Sequence, residues 1–174
     1  MLIRRERPAD VDAIAAIHRS AFADQVPPDA SEPVEVALVA ALRASDAWLP
    51  ELSMVAQDGA GAVVGHVCLT RATVGGRPAL ALGPIGVLAD RQRSGVGAAL
   101  MHASLGAADA LGEPLVALLG HLDYYPRFGF VPGAEVGIDP GIPEWVSHFQ
   151  VRPLTAHTPD LTGRFRYAQP FYDI

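Results

Sequence analysis

VLADRQRSGVGAAL, residues Val87–Leu100, decides how the chain is parsed. Before it, Ala79–Leu88 is nearly all apolar, the pattern of a strand buried on both faces in the middle of a sheet. Within it, Gln92-Arg93-Ser94-Gly95-Val96-Gly97-Ala98 places two glycines one residue apart. After it, Val96, Leu100, Ala103, Ala107 and Leu111 recur at helical spacing. Gly112 is a fitting stop, and Pro114 cannot continue the helix. Leu115–Leu119 then reads as a short buried strand. Strand, glycine turn, helix and strand make one βαβ unit, whose crossover is right-handed by rule. The turn is also a phosphate cradle in outline. Glycine lets the backbone turn tightly and approach a ligand. The first N–H groups of the helix have no partners inside it and carry the positive end of its dipole.

Outward from this unit, Leu2–Glu6 predicts a short strand, and Asp10 an N-cap for a helix through Phe22 with Val11, Ile14, Ile17 and Ala21 at helical spacing. A loop rich in Pro, Asp and Ser (Val26–Pro33) follows, then a second helix over Glu35–Ala44 with Leu38, Val39 and Leu42 on its buried face. Leu52–Gln57 and Ala62–Ala72 read as strands joined through the turn Asp58-Gly59-Ala60-Gly61, and Gly75-Gly76 is another tight turn. Pro84 has no N–H to give a ladder, so Gly83-Pro84-Ile85-Gly86 is read as a bulge or splay point. Asp123–Arg127 suits a short helix and Gln150–Leu154 a strand, while the aromatic tail Gly163–Tyr172 has to dock on its own sheet or a neighbour's, which leaves a homodimer open. Antiparallel strands before a βαβ unit give a mixed α/β (α+β) domain over residues 1–174, with 140–174 as a C-terminal extension packed on it.

At 174 residues, 50% hydrophobic and 18% charged, the chain has enough apolar matter for one real core. A net charge of −6 with scattered Lys and Arg argues against a nucleic-acid surface. The one cysteine, Cys68, excludes an intrachain disulfide and reads as a small buried hydrophobe. MLIRRERPAD is not followed by the apolar run of a signal peptide, and the longest apolar stretch is too short and broken to cross a bilayer. A cytoplasmic protein without membrane or nucleic-acid partners is expected. His66, among strand residues, reads as packed and hydrogen-bonded. His102, His148 and His157 lack metal spacing, so no metal site is expected.

The glycine turn fits neither common nucleotide motif. A dinucleotide fold needs G-x-G-x-x-G at the strand end, and a P-loop needs G-x-x-x-x-G-K-[ST]; neither string is present. What remains, Q-x-x-G-x-G-A after an apolar strand, resembles the acetyl-CoA signature of the GNAT superfamily of N-acetyltransferases. A second match lies downstream in the order that family requires: Tyr125-Pro126-Arg127-Phe128-Gly129-Phe130 is similar to its Y-x-x-x-G-F segment. The likeness extends to LGP-x-x-V before the signature, to the Tyr124-Tyr125 pair, to Glu35–Arg43, and to a tail carrying Gly163, Tyr167 and Phe171, as in a bacterial subgroup of predicted acetyltransferases.

That resemblance implies a central, mostly antiparallel sheet, flanked by helices and splayed where acetyl-CoA lies. Acetyl-CoA is the implied co-substrate and no metal is implied. Ile85 and Val87 match the positions whose backbone holds the pantetheine arm. The backbone of Arg93, Ser94, Gly95, Val96, Gly97 and Ala98 would receive the pyrophosphate, with Gln92 adding a contact and Arg91 or Arg93 available to phosphates. The implied reaction is direct transfer of an acetyl group to an amine, of a small molecule or of a protein. Tyr125 matches the tyrosine beside the leaving thiolate; a tyrosine, with an ordinary pKa of about 10, stays protonated and donates. A free N–H near Val87 suits the oxyanion. The chain departs from the commonest pattern in one respect. Ala79–Leu88 carries no ionisable side chain, where many members have a glutamate as general base. His121 is the first candidate for that base, because an imidazole titrates near neutral pH. Asp123 is placed to orient it or to bind an ammonium, and Glu35 to line the acceptor site. Trp145 with Phe149 is a candidate closure for that pocket. The missing glutamate also leaves open an acyl-CoA-binding or sensing module with little catalysis.

Overall fold

The computed structural model describes residues 1–174. Strand β1 (Leu2–Arg5) leads into helix α1 (Val11–Ala21) and, after a loop, helix α2 (Val34–Arg43). Strands β2 (Trp48–Gln57), β3 (Val63–Val74) and β4 (Arg77–Val87) follow as two hairpins. The first hairpin turns on the Asp58 carboxylate, which accepts from the N–H groups of Ala60 (2.9 Å) and Ala62 (3.0 Å). The second turns on Gly75 and Gly76, both at positive φ. Helix α3 (Val96–Ala110) and strand β5 (Leu115–Leu119) complete the βαβ unit, with β4 and β5 parallel. Then come β6 (Val131–Pro132), β7 (Ile138–Asp139), β8 (Phe149–Pro153) and β9 (Gly163–Arg166).

The sheet runs β1-β2-β3-β4-β5-β8-β6, antiparallel along this path except for β4 and β5. Strand β8, drawn from the segment read as an extension, is therefore a full member of the central sheet. Strand β9 pairs with β3 and with β7, so the aromatic tail docks on its own sheet.

Strand alternation sorts the core. Leu52, Met54, Val67 and Leu69 face α3, which buries Val96, Leu100, Met101, Leu105 and Ala108 against them. Each of these valine, leucine and methionine side chains contributes about 1.5–3 kcal/mol by leaving water. The intervening Val55 and Cys68 face α1 and α2, packing on Ile14, Val39, Leu38 and Leu42. The tail covers the rest of that second face through Phe165 and Tyr167 against Ala79, Ala81 and Leu115.

Three local readings change. Leu111 is 52% exposed, because the buried stripe of α3 runs through Met101, Leu105 and Ala108 instead. Asp10 occupies the N-cap position, but its carboxylate caps no N–H of α1; Arg4 (2.7 and 2.9 Å) and the N–H of Arg7 (2.7 Å) take it. The 123–127 helix is a 3₁₀ turn at Tyr125–Phe128. No helix is long and apolar enough to cross a membrane.

A polar chain crosses the second face under α1. Arg43 donates to Glu6 (2.7 Å), and Ser53 Oγ donates to the other oxygen of Glu6. His66 Nε2 lies 3.0 Å from Ser53 Oγ, and His66 Nδ1 lies 2.8 Å from His18 Nε2. Because the Ser53 proton is committed to Glu6, His66 donates through Nε2 and accepts through Nδ1. His18 then donates through Nε2, and its Nδ1, buried and unpartnered, carries only a lone pair. His66 is thus packed and hydrogen-bonded, as its strand context predicts.

Candidate active site

The bulge in β4 opens the site. Between Leu69↔Leu82 and Val67↔Ile85 the register slips, with Gly83 and Pro84 together opposite Cys68. On the other edge, β4 pairs with β5 only at Leu80↔Val116 and Ala81↔Ala117. Beyond Ala81 the two parallel strands part, and the β5-facing edge of β4 has no strand partner. A cleft of about 1000 Å³ enters this gap, lined by Leu82, Gly83, Pro84, Ile85 and Val87 on one side and Leu119, Gly120 and His121 on the other.

The glycine turn forms one end of the cleft. Gly95 (φ 89°) and Arg93 (φ 57°) both stand in the left-handed region, which turns successive N–H groups inward as an anion-binding nest. Arg93 has a Cβ, so the conformation costs it about 1–2 kcal/mol. None of the backbone N–H groups from Arg93 to Ala98 donates to another group of the chain. Gln92 ties the turn to the strand end by donating to the Val87 carbonyl (3.2 Å). Gln92, Arg93, Gly95, Gly97 and Ala98 line the cleft. Val96 faces the core, and Ser94 turns its hydroxyl back to the Arg91 carbonyl (2.5 Å), so these two offer backbone alone. Arg91 does not line the cleft; it pairs with Asp90 (3.4 Å).

Tyr125 lines the middle of the cleft, its ring edge-on to Tyr124 (5.0 Å) and Phe130 (5.8 Å). Gly120 makes room for it, since a Cβ there would fall within the Tyr125 ring. Burial and the neighbouring Tyr124 push the Tyr125 hydroxyl up to about 12. Tyr124 also lines the cleft. Its hydroxyl stands over the first turn of α3, 3.2 Å from where a Cβ on Gly97 would be, and the Arg127 guanidinium lies over its ring (4.7 Å).

The far end of the cleft lies on the α1/α2 face. Phe22, Gln25, Glu35 and Leu38 line it, together with Tyr167 and Phe171 of the tail. His121 and Glu35 are therefore in the cleft, whereas Asp123 is not. Trp145 and Phe149 do not close it. Trp145 stacks on Tyr172 (5.6 Å) behind Tyr167, and Phe149 packs on Phe165 (5.4 Å). The four-residue spacing of Tyr167 and Phe171 was the available signal for this wall. The cleft is electrically divided, with Arg93 and Arg127 at the glycine-turn end and Glu35, its sole acidic side chain, at the other. Cys68 lies behind the bulge, buried, with burial pushing its thiol up to about 12 and out of nucleophilic range. No group of three or more His, Cys, Asp or Glu side chains is arranged to hold a metal ion.

Residues 2–133 match the acetyltransferase (GNAT) domain family. The chain is 36% identical over 147 residues to the uncharacterized N-acetyltransferase YjhQ of Escherichia coli K12, covering 78% of this chain and 79% of that one. Among solved structures it is similar to the GNAT family N-acetyltransferase YhbS of Escherichia coli in complex with CoA (TM-score 0.87, 29% identity, 98% and 91% of the two chains covered). It is similar too to a GNAT family acetyltransferase of Brucella melitensis in complex with acetyl-CoA (TM-score 0.76, 32% identity, 98% and 97% covered).

Proposed function

The chain belongs to the GNAT family of acetyltransferases, and from that premise we propose which of its residues carry acetyl-CoA-dependent N-acetylation. The observation that supports the assignment best is the run of undonated N–H groups from Arg93 to Ala98 at the mouth of a splayed parallel pair. These donors suit the pyrophosphate of the co-substrate, with Arg93 adding charge. The pantetheine arm then runs along the unpaired edge of β4 at Ile85 and Val87, in place of the strand contact that β5 gives up. The thioester lies near the bulge. Negative charge that builds on its carbonyl as the amine attacks is stabilised by a free N–H of that same edge.

The nitrogen–carbon bond forms, the carbon–sulfur bond breaks, and the amine loses one proton. His121 is the proposed acceptor of that proton, directly or through water, since β4 offers no base. CoA leaves as a thiolate. With its own pKa near 12, the Tyr125 phenol is a weaker acid than a thiol and holds its proton against the departing thiolate. It therefore stabilises the leaving group by donating a hydrogen bond and does not need to give the proton away. A single buried cysteine fits a reducing compartment, so the cytoplasm is the proposed location.

The test is to incubate the protein with acetyl-CoA and a broad panel of amines and to follow free thiol. Amine-dependent release is expected. CoA binding without release on any amine would favour a sensing module instead.

A further inference from the structure

Tyr167 stands out at the far end of the cleft. It is only 7% exposed, with its ring packed on Phe165 (4.7 Å), Phe171 (4.8 Å) and Trp145 (5.6 Å). It lines the cleft, yet its hydroxyl is buried without a hydrogen-bond partner, and burial pushes its pKa well above the ordinary tyrosine range. A phenylalanine would fill the same aromatic cluster without an orphaned donor, so the fold alone gives no reason for the oxygen. Glu35, also in this wall, takes part in no salt bridge of the chain. Beside them the wall presents the Gln25 amide and the apolar side chains of Phe22, Leu38 and Phe171. A buried, unpartnered hydroxyl and an unpaired carboxylate in a mainly apolar wall are the complement of a ligand with the opposite pattern.

Resting on the acetyl-transfer reading above, we propose that Tyr167 is an acceptor-binding residue and that the acceptor is an apolar primary amine carrying one hydrogen-bonding substituent. The body of the amine lies against Phe22, Leu38 and Phe171. The substituent pairs with the Tyr167 hydroxyl, and Glu35 draws in the ammonium before it is deprotonated. The same carboxylate repels anionic amines such as phosphorylated amino sugars, and a mainly apolar wall with one carboxylate pairs poorly with the several charges of a polyamine.

The experiment measures thiol release by the full chain with tyramine, phenethylamine, spermidine and glucosamine 6-phosphate as probes. The two aryl amines are expected to give the higher kcat/KM, with tyramine at the lower KM. In Tyr167→Phe the KM for tyramine should rise about 3- to 10-fold, the loss of one hydrogen bond. The gap between tyramine and phenethylamine should close while the KM for acetyl-CoA stays put. The melting temperature of the free variant should hold or rise, because an unsatisfied buried hydroxyl is gone. Glu35→Gln should raise the KM for both aryl amines. An unchanged tyramine KM in Tyr167→Phe overturns the proposal, and so does a preference for spermidine or glucosamine 6-phosphate. Either result leaves acetyl transfer itself standing. Failure of CoA to raise the melting temperature, or no thiol release with any amine, removes the parent reading as well.

Discussion

Tyr125 shows what a single side chain owes to its surroundings. Its position in Tyr125–Phe130 makes it a candidate beside the leaving thiolate, but its chemistry comes from packing. The ring enters the core because Gly120 leaves space for it, and burial raises the hydroxyl to about 12. A phenol so weakly acidic is protonated throughout the working range and acts as a pure donor. Tyr125→Phe should therefore lower kcat by about 10- to 100-fold, the worth of one hydrogen bond to a charged group. CoA binding should change little, and no basic limb should vanish from the pH profile of kcat. An equal loss of CoA affinity would mean that the hydroxyl serves binding rather than departure of the thiolate. His121 has the opposite history. Its place after β5 is plain from the sequence, but its presence in the cleft depends on β4 and β5 having parted.

The glycine turn and the bulge are legible as elements, since Gly95, Gly97 and Pro84 each carry a backbone constraint that no context removes. The strain at Arg93 is not legible, because nothing in the letters says which residue of the turn will take a positive φ. Arg93→Asn tests the element. Asparagine tolerates the left-handed region better than arginine, so the melting temperature should hold or rise by a degree or two. The guanidinium is lost from the phosphate end, so the Kd for CoA should rise about 3- to 10-fold, with a weaker dependence on salt. If affinity were unchanged, the backbone donors alone would hold the pyrophosphate. Boundaries were harder to read than existence. Strand β2 begins at Trp48 rather than Leu52, and the two-residue strands β6 and β7 carry no pattern of their own.

At the scale of the whole molecule, the buried polar chain makes stability depend on acidity. Burial, with smaller contributions from the charges of His66 and Arg43, holds His18 down to about 3, against an ordinary 6.5. His66 is lowered too, chiefly by burial. Burial opposes ionisation of Glu6, but the His66 imidazole N–H close by (3.5 Å), hydrogen bonds from Arg43 and Ser53 and the charge of Arg43 together hold it at about 2. In each case the unfolded chain binds a proton that the folded chain refuses. Stability should therefore fall as pH drops below about 6.5, by about 1.4 kcal/mol per pH unit for each group titrating only in the unfolded state. His18 acts down to about 3, His66 acts in the same direction from about 6.5 downward, and Glu6 adds its share between about 4.5 and 2. Urea unfolding from pH 7 to pH 4 measures this directly. A flat profile would mean that the imidazoles bind protons in the folded chain, with the network rearranged.

By itself, the sequence determined the βαβ unit, the phosphate cradle and the irregular strand before it, because glycine, proline and apolar period act locally. It also supplied the family likeness, through motifs in order along the chain. Only the tertiary structure decided what faces the splay. Glu35, Phe22 and Tyr167 lie far apart in sequence and meet because α1, α2 and the tail share one face of the sheet. The tail could take that place because β9 found an edge on β3 and β7, a long-range pairing that no local pattern encodes.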